Sequence, residues 1–95
     1  MLTLEVSYND DSQELVKKLE KELLKFKDIE LKSYHEELFK ERKKSFKLKG
    51  AYGTRLCPFA VLTIEGKPVK AFYSELNQCT VENIINSLYE FIPYD

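Results

Sequence analysis

The sequence has no stretch approaching the ~18 apolar residues of a membrane span. Its opening, Met1-Leu2-Thr3-Leu4-Glu5, has neither the basic nor the long apolar region of a secretory signal. The cytosol is therefore the expected compartment, with no membrane partner. Only two cysteines are present, Cys57 and Cys79. That is too few for a disulfide framework, and free thiols are the default in a reducing compartment. The single histidine, His35, precedes Glu36-Glu37 and reads as a satisfied surface or helix-start residue. One histidine and two cysteines distant in sequence do not give a metal-site spacing, so no metal is expected. No serine stands in a recognisable nucleophile context, and neither an internal repeat nor a low-complexity linker interrupts the chain.

What is present suffices for one domain, 1–95, and not for two. Hydrophobic residues make up 43% of the chain and charged residues 33%, enough for a core with a wet surface. The formal net charge of -1 conceals segregation. From Lys40 to Arg55 seven basic residues stand against the single acid Glu41, a local +6 that leaves -7 for the remainder. The plain reading is a solvated helix face, although such segregation also creates a local field.

Leu2 to Tyr8 alternates apolar and polar residues and predicts a strand. Asn9-Asp10-Asp11-Ser12 supplies turn formers and N-caps. Leu15, Val16, Leu19, Leu23 and Phe26 then follow at helical spacing, so a helix is expected from Ser12 to Lys27. Ile29 to Tyr34 alternates again and reads as a second strand. Glu36 to Phe46 is expected to be helical on a thin stripe of Leu38, Phe39 and Phe46, with Lys49 to Thr54 as the loop that ends it. Phe59 to Ile64 is an almost continuous apolar run, as in a strand covered on both faces. Glu65-Gly66-Lys67-Pro68 reads as a tight turn, and Val69 to Tyr73 as its hairpin partner. Thr80 is placed to cap a last helix whose stripe is Val81, Ile84, Ile85, Leu88 and Ile92, ended by Pro93.

The order β-α-β-α-β-β-α, with the run Tyr52-Gly53-Thr54-Arg55-Leu56-Cys57-Pro58 before an apolar strand, resembles the thioredoxin and glutaredoxin families. That run is similar to their loop of the form Tyr-Gly-x-Arg-x-x-Pro, whose proline is cis and faces the active site. The resemblance covers 52–91 by pattern and the first half by element order. It implies an α/β, thioredoxin-like fold with a four-stranded mixed sheet, flanking helices and a cis Cys57-Pro58 bond. It also makes the first strand central, where Glu5 then needs exposure or a cationic partner.

The family's Cys-x-x-Cys would fall in the loop that here reads Asn9-Asp10-Asp11-Ser12, without a thiol. Thiol exchange needs a thiolate, so Asn9 and Ser12 are expected to cap the helix or line a binding groove. The resemblance puts Cys57 beside that groove, with Cys79 and Thr80 at the start of the last helix. Arg55, Pro58 and Thr80 join Asn9 and Ser12 as candidate binding residues, and Cys57 and Cys79 as candidate reactive thiols. Their plain alternative is two small, partly buried side chains without chemistry. Gly50-Ala51-Tyr52-Gly53 has neither the helical context of a KH loop nor the ending of a P-loop.

Three functions follow. The first is a thioredoxin-like module without standard oxidoreductase activity that binds a protein partner or a thiol substrate and needs no cofactor. The second is a divergent glutaredoxin-like thiol-disulfide oxidoreductase using Cys57, with Cys79 as resolving thiol and glutathione as cosubstrate. The third is nucleic-acid binding through 40–55 with Phe46 and Tyr52 as stacking aromatics, ranked last because the chain is acidic overall and has no repeated aromatic platform.

Overall fold

A computed structural model describes residues 2–37, 39–54 and 56–92, without the side chains of 39–42 and 46. Its elements are β1 (Leu2–Tyr8), α1 (Gln13–Leu23), β2 (Ile29–His35), α2 (Phe39–Ala51), β3 (Phe59–Ile64), β4 (Lys67–Tyr73) and α3 (Val81–Leu88). The strands form one sheet in the order β2-β1-β3-β4, with β1 and β2 parallel and the other neighbours antiparallel. Both the element order and the central position of β1 match the expectation.

Period two on β1 splits the sheet into unlike faces. Leu2, Leu4 and Val6 point to one side and are paired with Ile64, Leu62 and Ala60 of β3. There they join Val16, Leu19 and Leu23 of α1 and Ile84 and Leu88 of α3 in the main core. Thr3, Glu5 and Ser7 point to the other side, toward α2. Among the described residues, no buried side-chain nitrogen or oxygen lacks a hydrogen-bond partner.

The ends of all three α-helices differ from the sequence expectation. α1 stops at Leu23 rather than Lys27, and its end tightens as Lys25 N–H and Phe26 N–H bond back three residues. Phe26 still packs on the core. α2 runs through Gly50 to Ala51, well past Phe46. Its stop is Gly53, at φ 71°, the left-handed position of a Schellman end. Thr54 N–H bonds to Lys49 C=O at 3.0 Å and Gly53 N–H to Gly50 C=O at 3.3 Å. A glycine inside a helix costs about 1 kcal/mol relative to alanine and need not break it. α3 is shorter than its apolar stripe, although Ile92 N–H still reaches Leu88 C=O at 2.9 Å. Pro93, read as its stop, lies outside the described residues.

The β3–β4 turn is the pair Glu65-Gly66, both at positive φ, which leaves Lys67 and Pro68 inside β4. β4 is an edge strand, where a proline lacking an N–H is tolerated. The pairing shifts register between Leu62 and Thr63, with Thr63 opposite Pro68.

Candidate functional site

Register places several loops at one end of the sheet. Tyr8 at the end of β1 stands opposite His35 at the end of β2, Ser7 opposite Phe59 at the start of β3, and Phe59 opposite Tyr73 at the end of β4. The β1–α1 turn, the start of the β2–α2 connection, Cys57-Pro58 and the β4–α3 connection therefore converge there.

The β1–α1 turn is a closed hydrogen-bond unit. Ser12 N–H donates to Asn9 Oδ1 at 3.1 Å, and Asn9 N–H donates to Ser12 Oγ at 2.9 Å, a reciprocal capping box. Ser12 is buried. Both residues are thus engaged in ending the strand and starting the helix. Beside them His35 Nδ1 accepts from Glu37 N–H at 3.0 Å, so Nε2 carries the hydrogen that reaches Asp10 Oδ1 at 2.7 Å. His35 is satisfied, but it is the buried last residue of β2, with its ring edge-on to Tyr8, rather than a surface or helix-start residue.

The Cys57-Pro58 peptide bond is cis. Cys57 Sγ lies 3.3 Å from Lys49 Nζ and 3.5 Å from Ser7 Oγ. Ser7 also hydrogen-bonds to Ser45, and Lys49 pairs with Glu36 at 3.7 Å. Glu36 N–H donates to Tyr8 C=O, tying that acid to the end of β1. Ser7, Ser45 and Lys49 are buried, and Lys49 is only 4% exposed. Burial pushes the half-buried Cys57 thiol above its ordinary pKa, and its hydrogen bond to Glu36 pushes the same way. Ser7 and the Lys49 ammonium pull it down and are outweighed. The protonated thiol is the favoured form.

Cys79 belongs to the opposite face, inside the α1–α3 core. Burial, with a smaller contribution from Cys57, pushes its thiol up to about 12. Both cysteines are free. Thr80 caps α3, its Oγ1 accepting from Asn83 N–H at 3.2 Å.

Two exposed leucines flank this end, Leu56 at 52% exposure and Leu76 at 63%. A clasp joins their loops, since Thr54 Oγ1 reaches both carboxylate oxygens of Glu75 at 2.6 and 2.7 Å. Thr54 holds the carboxyl of Glu75 below the usual carboxylate range. Arg55, a candidate binding residue, lies outside the described residues.

The basic stretch is not one solvated face. Lys43, Lys44 and Lys47 are exposed, whereas Lys49 turns inward. The side chains of Lys40, Arg42 and Phe46 lie outside the described residues. Tyr52 packs on Phe59, which packs on Tyr73, so this aromatic is engaged in the fold. Glu5 finds its cation in Lys44 at 3.3 Å and also accepts from Tyr34 Oη at 3.0 Å. A cleft of about 370 Å³ opens next to this pair, between α2 and the β3–β4 hairpin, over Val61 and Thr63. Among the described residues, no group of three or more histidines, cysteines and acids could hold a metal. No described helix is long and apolar enough to cross a membrane.

Sequence reasoning brought Asn9, Ser12 and Cys57-Pro58 to one end and missed Ser7, Glu36, Ser45 and Lys49. The available signal was the four-residue spacing of Ser45 and Lys49, which puts both on one helix face.

No protein-family model and no curated protein sequence matches the chain. Solved structures do. A thioredoxin variant from Halobacterium salinarum NRC-1 matches with a TM-score of 0.68 at 16% identity, over 99% of this chain and 77% of that one. Thioredoxin 1 from the thermophilic eubacterium Thermosipho africanus matches with a TM-score of 0.57 at 15% identity, over 90% of this chain and 93% of that one. The chain has a thioredoxin-like fold.

Proposed function

We propose that this thioredoxin-like chain is a binding module without dithiol exchange, holding an extended protein segment or a thiol-bearing partner against the Cys57-Pro58 loop. One observation carries the reading. Where a dithiol would stand, Asn9 and Ser12 close a capping box on each other. The thiol that remains at this end, Cys57, is held protonated by burial and Glu36. A nucleophilic thiol needs the opposite environment. The exposed Leu56 and Leu76, on loops clasped by Thr54 and Glu75, give an extended chain apolar contacts on either side.

The test has two parts. Alkylation of Cys57, followed by mass spectrometry across pH, is expected to show a midpoint above that of an unperturbed thiol. A midpoint below it would overturn the reading. Titration with a library of unstructured apolar peptides should move backbone resonances around Leu56, Pro58 and Leu76, and Leu56→Asp should abolish the response. Perturbations confined to other surfaces would overturn the placement.

The contact between Lys49 Nζ and Cys57 Sγ favours a second reading, the glutaredoxin-like oxidoreductase, because a cation beside sulfur stabilises a thiolate. Turnover in a glutathione-coupled disulfide assay that disappears in Cys57→Ser would establish it.

A further inference from the structure

A thiol oxidised by peroxide becomes a sulfenic acid, whose usual fate is capture by a neighbouring nucleophile. The nucleophile touching Cys57 is not a thiol. Lys49 Nζ stands 3.3 Å from Cys57 Sγ, and the two residues come from different elements, the last turn of α2 and the loop before β3. Both are held. Lys49 is 4% exposed and paired with Glu36, and Cys57 meets the buried Ser7 hydroxyl. Cys79, the other thiol, is packed into the α1–α3 core. Holding reactants at contact distance converts a bimolecular step into a unimolecular one.

We propose that Lys49 and Cys57 form an oxidative cross-linking site, in which peroxide joins the amine of α2 covalently to the thiol of the Pro58 loop. Hydrogen peroxide first converts the Cys57 S–H to S–OH and is reduced to water. The Lys49 nitrogen, as the free amine after losing its ammonium proton toward Glu36 and solvent, attacks the sulfur. The S–O bond breaks, an S–N bond forms, and the oxygen leaves as a second water. One thiol, one amine and one peroxide thus give a sulfenamide and two waters. A second peroxide can transfer one oxygen to that sulfur as S=O, leaving the S–N bond in place as a sulfinamide and releasing one more water. Burial, which disfavours the thiolate of Cys57, slows the first step relative to an exposed cysteine. The bridge would fix the end of α2 to the loop whatever ligand that loop serves, so the inference stands apart from the proposed binding role.

The experiment treats the folded chain with hydrogen peroxide and reads intact mass and proteolytic peptides. The expected mass change is a loss of two hydrogens, or that loss with one oxygen gained. Tryptic cleavage after Lys49 should disappear, replaced by a linked fragment carrying Lys49 and Cys57, which dithiothreitol separates where the link is the sulfenamide. The same treatment in urea should give oxidised Cys57 without the link, which shows that the fold directs it. Lys49→Arg, which retains the positive charge, should lose the bridge and proceed to sulfinic acid at Cys57. Three results would each overturn the proposal. These are a Cys57–Cys79 disulfide carrying the mass loss, sulfinic acid at Cys57 with cleavage after Lys49 intact, or equal linkage in folded and urea-unfolded chains.

Discussion

On one side of β1, Leu2, Leu4 and Val6 meet α1 and α3; on the other, Glu5 and Ser7 meet α2. The first side is a continuous apolar core in which Leu4, Leu19, Leu62, Ile84 and Leu88 are fully buried. Each such side chain contributes on the order of 1.5–3 kcal/mol. The second side carries hydroxyls, a carboxylate and an amine under the helix, with apolar contact supplied by Phe59 and Val61 of β3. Satisfied polar groups add roughly 0.5–1.5 kcal/mol each. One face therefore holds the fold, while the other places a thiol, an amine and an acid in contact.

The largest expected effect lies on the apolar side. Leu4→Ala should cost about 2–5 kcal/mol, the usual range for a buried leucine truncated in a core, measured by urea unfolding. Ser7→Ala, facing the other way on the same strand, removes hydrogen bonds to Ser45 and Cys57 and takes from the buried Ser45 hydroxyl its Ser7 partner, which should cost about 1–3 kcal/mol. Equal costs at the two positions would break the comparison.

Next comes alkaline stability, which reads both faces through their thiols. A thiol whose pKa is raised on folding stabilises the fold below its ordinary value and loses that contribution as pH rises toward the folded value. For Cys79 the window runs from 9.0 to about 12. Within it the unfolded chain gives up a proton that the folded chain keeps, a slope of about 1.4 kcal/mol per pH unit. Cys79→Ala should flatten the fall of stability over that range. An unchanged slope would mean that Cys79 is not held protonated by its core.

The legibility of the two faces differed for the same reason as their energetics. Leu15, Leu19 and Leu23, and Val81, Ile84 and Leu88, announce α1 and α3 by period, because a helix packed on a core must present a stripe. α2 has no such stripe, so the sequence places its end at Phe46 and a loop over 49–54, whereas the helix continues to Ala51 and stops at Gly53. Lys49 belongs by sequence to the solvated basic stretch, yet it is buried. Nothing in the composition of a basic run distinguishes a lysine that turns inward. That depends on Ser7, Glu36 and Cys57, which arrive from three other parts of the chain. The capping residues Asn9 and Thr80 were legible because a cap is a local interaction.

A smaller effect separates the contributions around Cys57. Glu36→Gln removes the carboxylate that favours the protonated thiol, so alkylation of Cys57 should reach its midpoint at lower pH. Lys49→Met removes the hydrogen bond and the positive charge that oppose it, so the midpoint should rise. Movement of both variants in one direction would mean that the substitutions act by altering burial rather than by these contacts.

The smallest effect concerns the ion pair at the middle of the polar face. Glu5 is enclosed, with its side chain 13% exposed, whereas that of Lys44 is 45% exposed. Tyr34 Oη already donates to Glu5, and Lys44 Nζ also lies 5.9 Å from the Tyr34 ring centroid. Lys44→Met keeps most of the aliphatic stem over the sheet and deletes the charge. Its cost should fall within the 0.2–1 kcal/mol typical of partly exposed pairs, roughly. Because the Debye length is about 10 Å at 0.1 M salt and about 3 Å at 1 M, the difference from the parent chain should shrink as salt is added. The corresponding difference for Leu4→Ala should not shrink, since burial of apolar surface is not screened. If the cost of Lys44→Met is indifferent to salt, the lysine stem rather than its charge holds α2 over Glu5, and the polar face is packed more like the apolar one than its residues suggest.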